Sequence, residues 1–139
     1  MYLIDTNVIS EGRKRANANQ GVQEFFLRAI QDSTPVFLSV ITVGELRRGV
    51  ELIRHRGDSR QAERLEQWLN ALLREYQDCI LDLDQDMAQL WGRLRVPHPE
   101  NALDKQIAAT ALIHDLTVVT RNQADFRKTG VRVLNPFTE

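Results

Sequence analysis

Short apolar runs that alternate with longer amphipathic stretches predict an α/β protein, a sandwich in which a mostly parallel sheet is flanked by helices. Two observations carry this. Tyr2-Leu3-Ile4, Val36-Phe37-Leu38, Cys79-Ile80-Leu81, Thr117-Val118-Val119 and Val131-Arg132-Val133-Leu134 are short runs of the kind buried strands show. Between them, apolar residues recur at helical spacing.

Each element has its own signal. The first strand stops at Asp5, and a polar loop containing Arg13 to Asn19 follows. Val22, Phe25, Phe26, Ala29 and Ile30 then mark a helix. Pro35 breaks it before the second strand. Ser39 or Thr42 starts the next helix, with Ile41, Leu46, Val50 and Ile53 on its apolar side, and Gly57-Asp58 ends it. Leu65, Trp68, Leu69, Leu72 and Leu73 form the stripe of another. After the third strand, Asp84 caps a helix carrying Met87, Leu90, Trp91 and Leu94. Val96-Pro97-His98-Pro99 is a stiff loop, and a helix runs from about Ala102 to His114 before the fourth and fifth strands.

The 139 residues suit one domain, 1–139, with a core that needs no metal or disulfide staple. Apolar residues make up 42% and charged residues 27%, as in ordinary globular chains, so disorder is not indicated. The net charge of -1 argues against a general nucleic-acid binder but leaves room for an enzyme that meets nucleic acid through a metal. Arg13-Lys14-Arg15, Arg47-Arg48, Arg54-His55-Arg56 and Arg127-Lys128 read first as solvated faces. Cys79, the one cysteine, sits in an apolar run and reads as a core thiol. No signal-peptide pattern and no membrane-length apolar stretch occurs, so a soluble, cytoplasmic protein without membrane contact is expected.

The chemistry lies with acids. In open α/β sheets, sites form outside the carboxyl ends of the strands. Asp5 directly follows the first strand, and Thr120-Arg121-Asn122 directly follows the fourth. Asp5 is either a site carboxylate or the cap of a turn starting at Asn7. Glu45 lies within a helix, either as the partner of Thr42 in a capping box or, if Ser39 is the cap, deeper in the helix and free for other work. Asp104 shares one helical face with Ile107, Ala108 and Ala111. A carboxylate on an apolar face is costly without a partner. A first-turn position behind an Asn101 cap is compatible with facing inward. Carboxylates meeting in one cleft repel unless a cation joins them, and hard oxygen ligands select Mg²⁺ or Mn²⁺. His55, His98 and His114 have no zinc spacing, and neither a phosphate-binding Gly loop nor a serine nucleophile elbow is present.

Taken together, these segments resemble the motifs of the PIN-domain family: Tyr2-Leu3-Ile4-Asp5-Thr6-Asn7-Val8, Leu38-Ser39 through Glu45-Leu46, Leu103-Asp104 through Ala111, and Thr117 through Asn122 with Asp125-Phe126. Val133-Leu134-Asn135-Pro136-Phe137 also fits, so the likeness spans the whole chain. Within the family the chain looks most like the VapC-type toxins of bacterial type II toxin–antitoxin systems. The resemblance implies a PIN-like three-layer sandwich, a homodimer, an RNA substrate cut endonucleolytically, and a small antitoxin that wraps the toxin and contacts operator DNA on its behalf. It also implies that Asp5, Glu45 and Asp104 hold metal, and that Thr6, Asn7, Thr120 and Asn122 orient them. Where many relatives carry an acid soon after the fourth strand, this chain has Asn122, expected to face the cleft; Asp125, three residues on, is the other candidate for the fourth acid. Two other classes compete. One is an inactive PIN-like module that works only through an antitoxin–DNA complex. The other is a different α/β phosphate enzyme, but a dehalogenase-like phosphatase wants an acid where Asn7 stands, and a receiver domain wants paired acids after its first strand.

Overall fold

The computed structural model describes residues 1–139. Its elements follow in the order β1 (Tyr2–Ile4), α1 (Thr6–Gly12), a 3-10 turn (Arg15–Asn17), α2 (Gln20–Gln31), β2 (Val36–Ser39), α3 (Val40–His55), α4 (Ser59–Glu75), β3 (Ile80–Leu81), α5 (Gln85–Leu94), α6 (Ala102–His114), β4 (Thr117–Val119), α7 (Gln123–Phe126) and β5 (Val133–Leu134). The strands form one five-stranded sheet in the order β3-β2-β1-β4-β5, and every pairing is parallel.

That order decides where a site can form. The chain winds outward from β1 through β2 to β3, then returns to place β4 on the other side of β1. The direction of winding reverses between β1 and β4, and connections on either side leave a crevice at their carboxyl ends. Ile4 is in register with Val119, so Asp5 and Thr120 stand side by side past the sheet edge.

The sheet is covered on both faces, which is why its strands read as apolar runs. Successive residues point to opposite faces. Ile4 and Val119 join Val8, Val22, Leu38, Leu46, Val50, Leu69 and Leu72 on one side. Leu3 and Val118 join Ile107, Ala108, Ala111, Leu116 and Phe126 on the other. Ala108, Ala109 and Ala111 of α6 are fully buried and let that helix lie close on the sheet. No helix is long and apolar enough to cross a membrane.

Caps set the boundaries. Asn19 accepts from the N–H groups of Gly21 and Val22, Asp58 from Gln61, and Asp84 from Met87. Gly57 takes φ +95° where α3 ends, a conformation that favours glycine. Several boundaries differ from those the sequence predicts. The expected turn at Asn7 is a full helix, α1, whose Val8 and Ile9 alone face the core. Two inward residues are too few for a visible period. The fifth strand shrinks to Val133–Leu134, and the third begins at Ile80. Cys79 is half-buried rather than a core thiol, because it lines an apolar groove of about 670 Å³ with Val22, Phe26, Trp68 and Leu72.

The C-terminal segment closes over the start of α2. Asn19 Nδ2 donates to the Thr138 carbonyl (2.6 Å), and the Gly21 N–H donates to Thr138 Oγ1 (3.1 Å). A Cβ on Gly21 would lie 2.1 Å from the Pro136 carbonyl oxygen and 2.9 Å from the Thr138 nitrogen. Both are backbone atoms, so Gly21→Ala must lift the segment off α2. We expect a loss of about 1–3 kcal/mol in urea denaturation. Unchanged stability would show that the segment is not held there.

Candidate active site

Asp5 is the most buried acid of the chain, only 3% exposed. Its position follows from the sheet: its N–H donates to the Val119 carbonyl (2.9 Å), so β1 ends with Asp5 still paired to β4. Asp5 also caps α1, its Oδ1 accepting from the Thr6 N–H at 2.8 Å. The cap reading and the site reading therefore coexist, because Oδ2 is committed elsewhere. Thr120 Oγ1 donates to it at 2.8 Å, and Asn7 Nδ2 at 3.2 Å.

Asn7 and Thr120 hold each other as well as Asp5. Asn7 Nδ2 donates to Thr120 Oγ1 (3.2 Å), and Asn7 Oδ1 accepts from the Arg121 N–H (3.0 Å). The Asn122 N–H donates to Thr120 Oγ1 (3.0 Å). The orientation of the Asn7 amide is determined by this network. Turned over, its oxygen would face a carboxylate and its NH₂ would face an N–H.

Glu45 reaches the same place from α3. Ser39 caps this helix, its Oγ accepting from the Ile41 N–H at 3.0 Å, so the Thr42–Glu45 capping box does not form. Instead Glu45 Oε1 accepts from Thr6 Oγ1 at 3.2 Å. Thr6 thus serves two acids, through its N–H and its hydroxyl. Asp104 stands in the first turn of α6. Asn101 occupies the cap position in a left-handed conformation and makes no side-chain cap bond, so it is not the conventional cap the sequence predicts. Buried Lys105 fixes this end of the helix, its Nζ donating to the His98 carbonyl.

Burial pushes Asp5 and Glu45 above the usual carboxylate range; hydrogen bonds from Thr120, Thr6 and Asn7 partly offset this at Asp5, and one from Thr6 does so at Glu45. Asp104 is pushed up to about 7, first by burial and then by the charges of Asp5, Asp125 and Glu45. A hydrogen bond shared with Asp125 further favours its protonated form. The four acids thus lie within electrostatic reach of one another. None forms an ion pair with Lys or Arg: the ion pairs of the chain lie elsewhere, as in Arg47 and Arg54 with Glu66. Nor do three of them close on a single point.

α7 is the single helical turn that brings Asp125 back toward Asp104 and Asp5. Asn122, by contrast, is exposed, and its side chain makes no hydrogen bond; it contributes through its backbone N–H. Arg121, which carries no sequence signal beyond its place after Thr120, holds Asn7 through its N–H. The apolar groove beside Cys79 includes none of the four acids.

A family model described as the PIN domain matches residues 2–131. The chain belongs to the PIN-domain family. Toxin FitB of Neisseria gonorrhoeae is 39% identical, with 99% of each chain covered. VapC ribonuclease Y4jK of Sinorhizobium fredii is 33% identical, covering 99% of this chain and 98% of the relative. The solved structure of FitAB bound to an IR36 DNA fragment superposes with a TM-score of 0.81 at 34% identity, covering 100% and 97% of the two chains. This PIN domain therefore shares its all-parallel α/β fold with the toxin structures it resembles.

The raised pKa of Asp104 fixes the sign of a pH effect. Folding favours its protonated form, so its contribution is fully present below about pH 4 and is lost as pH rises through about 7. Asp5 and Glu45 act in the same direction. In EDTA, the melting temperature should fall between pH 5 and pH 8, and Asp104→Asn should flatten the fall. An equally steep profile in that variant would show that Asp104 does not titrate in this range.

Proposed function

We propose that this PIN domain is a magnesium-dependent endoribonuclease and the toxin of a toxin–antitoxin pair. One observation carries the reading: four acids from four different elements lie within electrostatic reach of one another beyond the sheet edge, and no side-chain cation neutralises them. The donor set fits a hard divalent cation, being all oxygen with no His or Cys among its members. Asp5, Glu45 and Asp104 would hold Mg²⁺, with Mn²⁺ as a substitute, and Asp125 would complete the set. The bound ion would lower the pKa of a water and stabilise the leaving oxygen in hydrolysis of an RNA phosphodiester.

The residues of the chain do the positioning. Thr6, Asn7 and Thr120 occupy three acceptor positions of Asp5, leave one on Oδ1 for a cation, and set the direction of its carboxylate. Thr6 aligns Glu45 with it. Asp104, with its pKa near 7, would be deprotonated with a cation bound. Support for an RNA substrate comes from the resemblance to VapC-type toxins and from the VapC ribonuclease at 33% identity. Support for the toxin role comes from Toxin FitB at 39% identity. On this reading the chain works as a homodimer, and a cognate antitoxin covers its acidic cleft and links it to operator DNA.

Protein freed of any antitoxin should cleave RNA in Mg²⁺ or Mn²⁺ and not in EDTA. Asp5→Asn should cut the rate by about 100-fold or more, since even residues that only orient ligands are worth about 10–100-fold. Asp125→Ala should slow cleavage less than Asp5→Ala. Full activity in excess EDTA, with contaminating nucleases excluded, would overturn the metal mechanism. Full activity of Asp5→Asn would leave Asp5 as a cap alone.

A further inference from the structure

We propose that Arg121 is a substrate-binding residue, a fixed cation that takes an RNA backbone phosphate flanking the one cleaved. The inference rests on the ribonuclease reading above and adds to it a group outside the carboxylate set.

An acidic crevice repels the substrate it must hold, and a bound cation answers for only the phosphate it touches. Neighbouring phosphates need other positive charge, placed close by and not already neutralised. Arg121 carries an uncommitted charge on a backbone tied directly to the acid network. It follows Thr120, the residue whose hydroxyl donates to Asp5. Its own N–H is bound by Asn7 Oδ1 at 3.0 Å, and the next N–H, that of Asn122, is bound by Thr120 Oγ1. Three consecutive residues are thus tied to the Asp5 network, and the Arg121 backbone has little freedom.

The side chain is held at its other end. Its guanidinium carbon lies 4.7 Å from the centre of the Phe137 ring. Phe137 packs against the core cluster of Ile9 and Val22, and its N–H is bound by Asn135 Oδ1. A guanidinium stacked on a fixed ring keeps all of its in-plane donors free while losing much of its motion. None of those donors is used: Arg121 makes no side-chain hydrogen bond and no ion pair. Glu11 is within electrostatic range, but its two oxygens are already bound by Lys14 Nζ and the Asn19 N–H. The other stacked arginines differ. Arg95, over Trp91, spends its Nε on the Pro99 carbonyl, and Arg13, over Trp68, lines the apolar groove rather than the acid crevice.

The alternative is that Arg121 only clasps the C-terminal segment through Phe137. The two roles separate by titrating a fluorescein-labelled, mixed-sequence single-stranded RNA onto the cleavage-deficient Asp104→Asn protein across a KCl series. Adding Arg121→Gln, which keeps a flat polar group over the ring but removes the charge, should weaken binding several-fold and reduce the log–log salt slope by about 0.7, the value of one phosphate contact on a single strand. Arg121→Lys should restore the slope. Phe137→Leu should lower affinity with the slope unchanged. In the active protein, Arg121→Gln should raise KM far more than it lowers kcat, with Mn²⁺ affinity unaltered. A wild-type slope and KM in folded Arg121→Gln would overturn the proposal and leave the clasp. Because the slope reports binding alone, the two readings fail separately. Metal-independent cleavage with a reduced slope removes the magnesium mechanism and keeps the phosphate contact. Magnesium-dependent cleavage with an unreduced slope does the reverse.

Discussion

Asp5 is a carboxylate at the end of the central strand, 3% exposed and surrounded by other acids. Burying an ionised carboxylate is unfavourable by several kcal/mol unless hydrogen bonds replace its water. The fold meets this with three donors from two places, Thr6 N–H and Asn7 Nδ2 at the start of α1 and Thr120 Oγ1 just past β4. Those bonds fasten the end of β1 to the end of β4 at the point where the winding of the sheet reverses. Moving any of them would uncover the acid or leave it unpaired. The close positions of Thr6, Asn7, Thr120, Arg121 and Asn122 follow from this single requirement.

What hydrogen bonds cannot remove is the repulsion among Asp5, Glu45, Asp104 and Asp125. Each arrives on a different element, β1's end, α3, α6 and α7, and each element is independently anchored by its own packing. The acids therefore cannot simply move apart. The result appears in Asp104, whose pKa rises to about 7, first through burial and then through the charges of its three neighbours. On the proposed function, a divalent cation would lower the repulsion further, where phosphate chemistry needs positive charge. The proposed activity is thus a consequence of crowding that the sheet topology imposes.

Much of this was legible in the residues. The strand runs, the Asp84 cap and the long helices could be read because period and cap chemistry act locally. Asp104 was visible as a lone acid on the otherwise apolar face of Ile107, Ala108 and Ala111. Glu45 was ambiguous because a capping box and a site acid look alike until the true cap, Ser39, is known. The choice between Asn122 and Asp125 depended on the direction of a four-residue turn, which is set by contacts between loops far apart in sequence. The same holds for α1, whose two core residues carry no period, and for Arg121, whose value comes from Phe137 sixteen residues later.

The central claim is that the four acids share a cation. Isothermal titration of Mg²⁺ into the protein at pH 7, in two buffers of different ionisation enthalpy, measures affinity and proton release together. A site that includes Asp104 near its pKa should bind Mg²⁺ and release about half a proton, because the ligand must be deprotonated. Asp104→Asn should bind more weakly and release almost none. No detectable Mg²⁺ binding, or the same proton release from Asp104→Asn, would contradict the account.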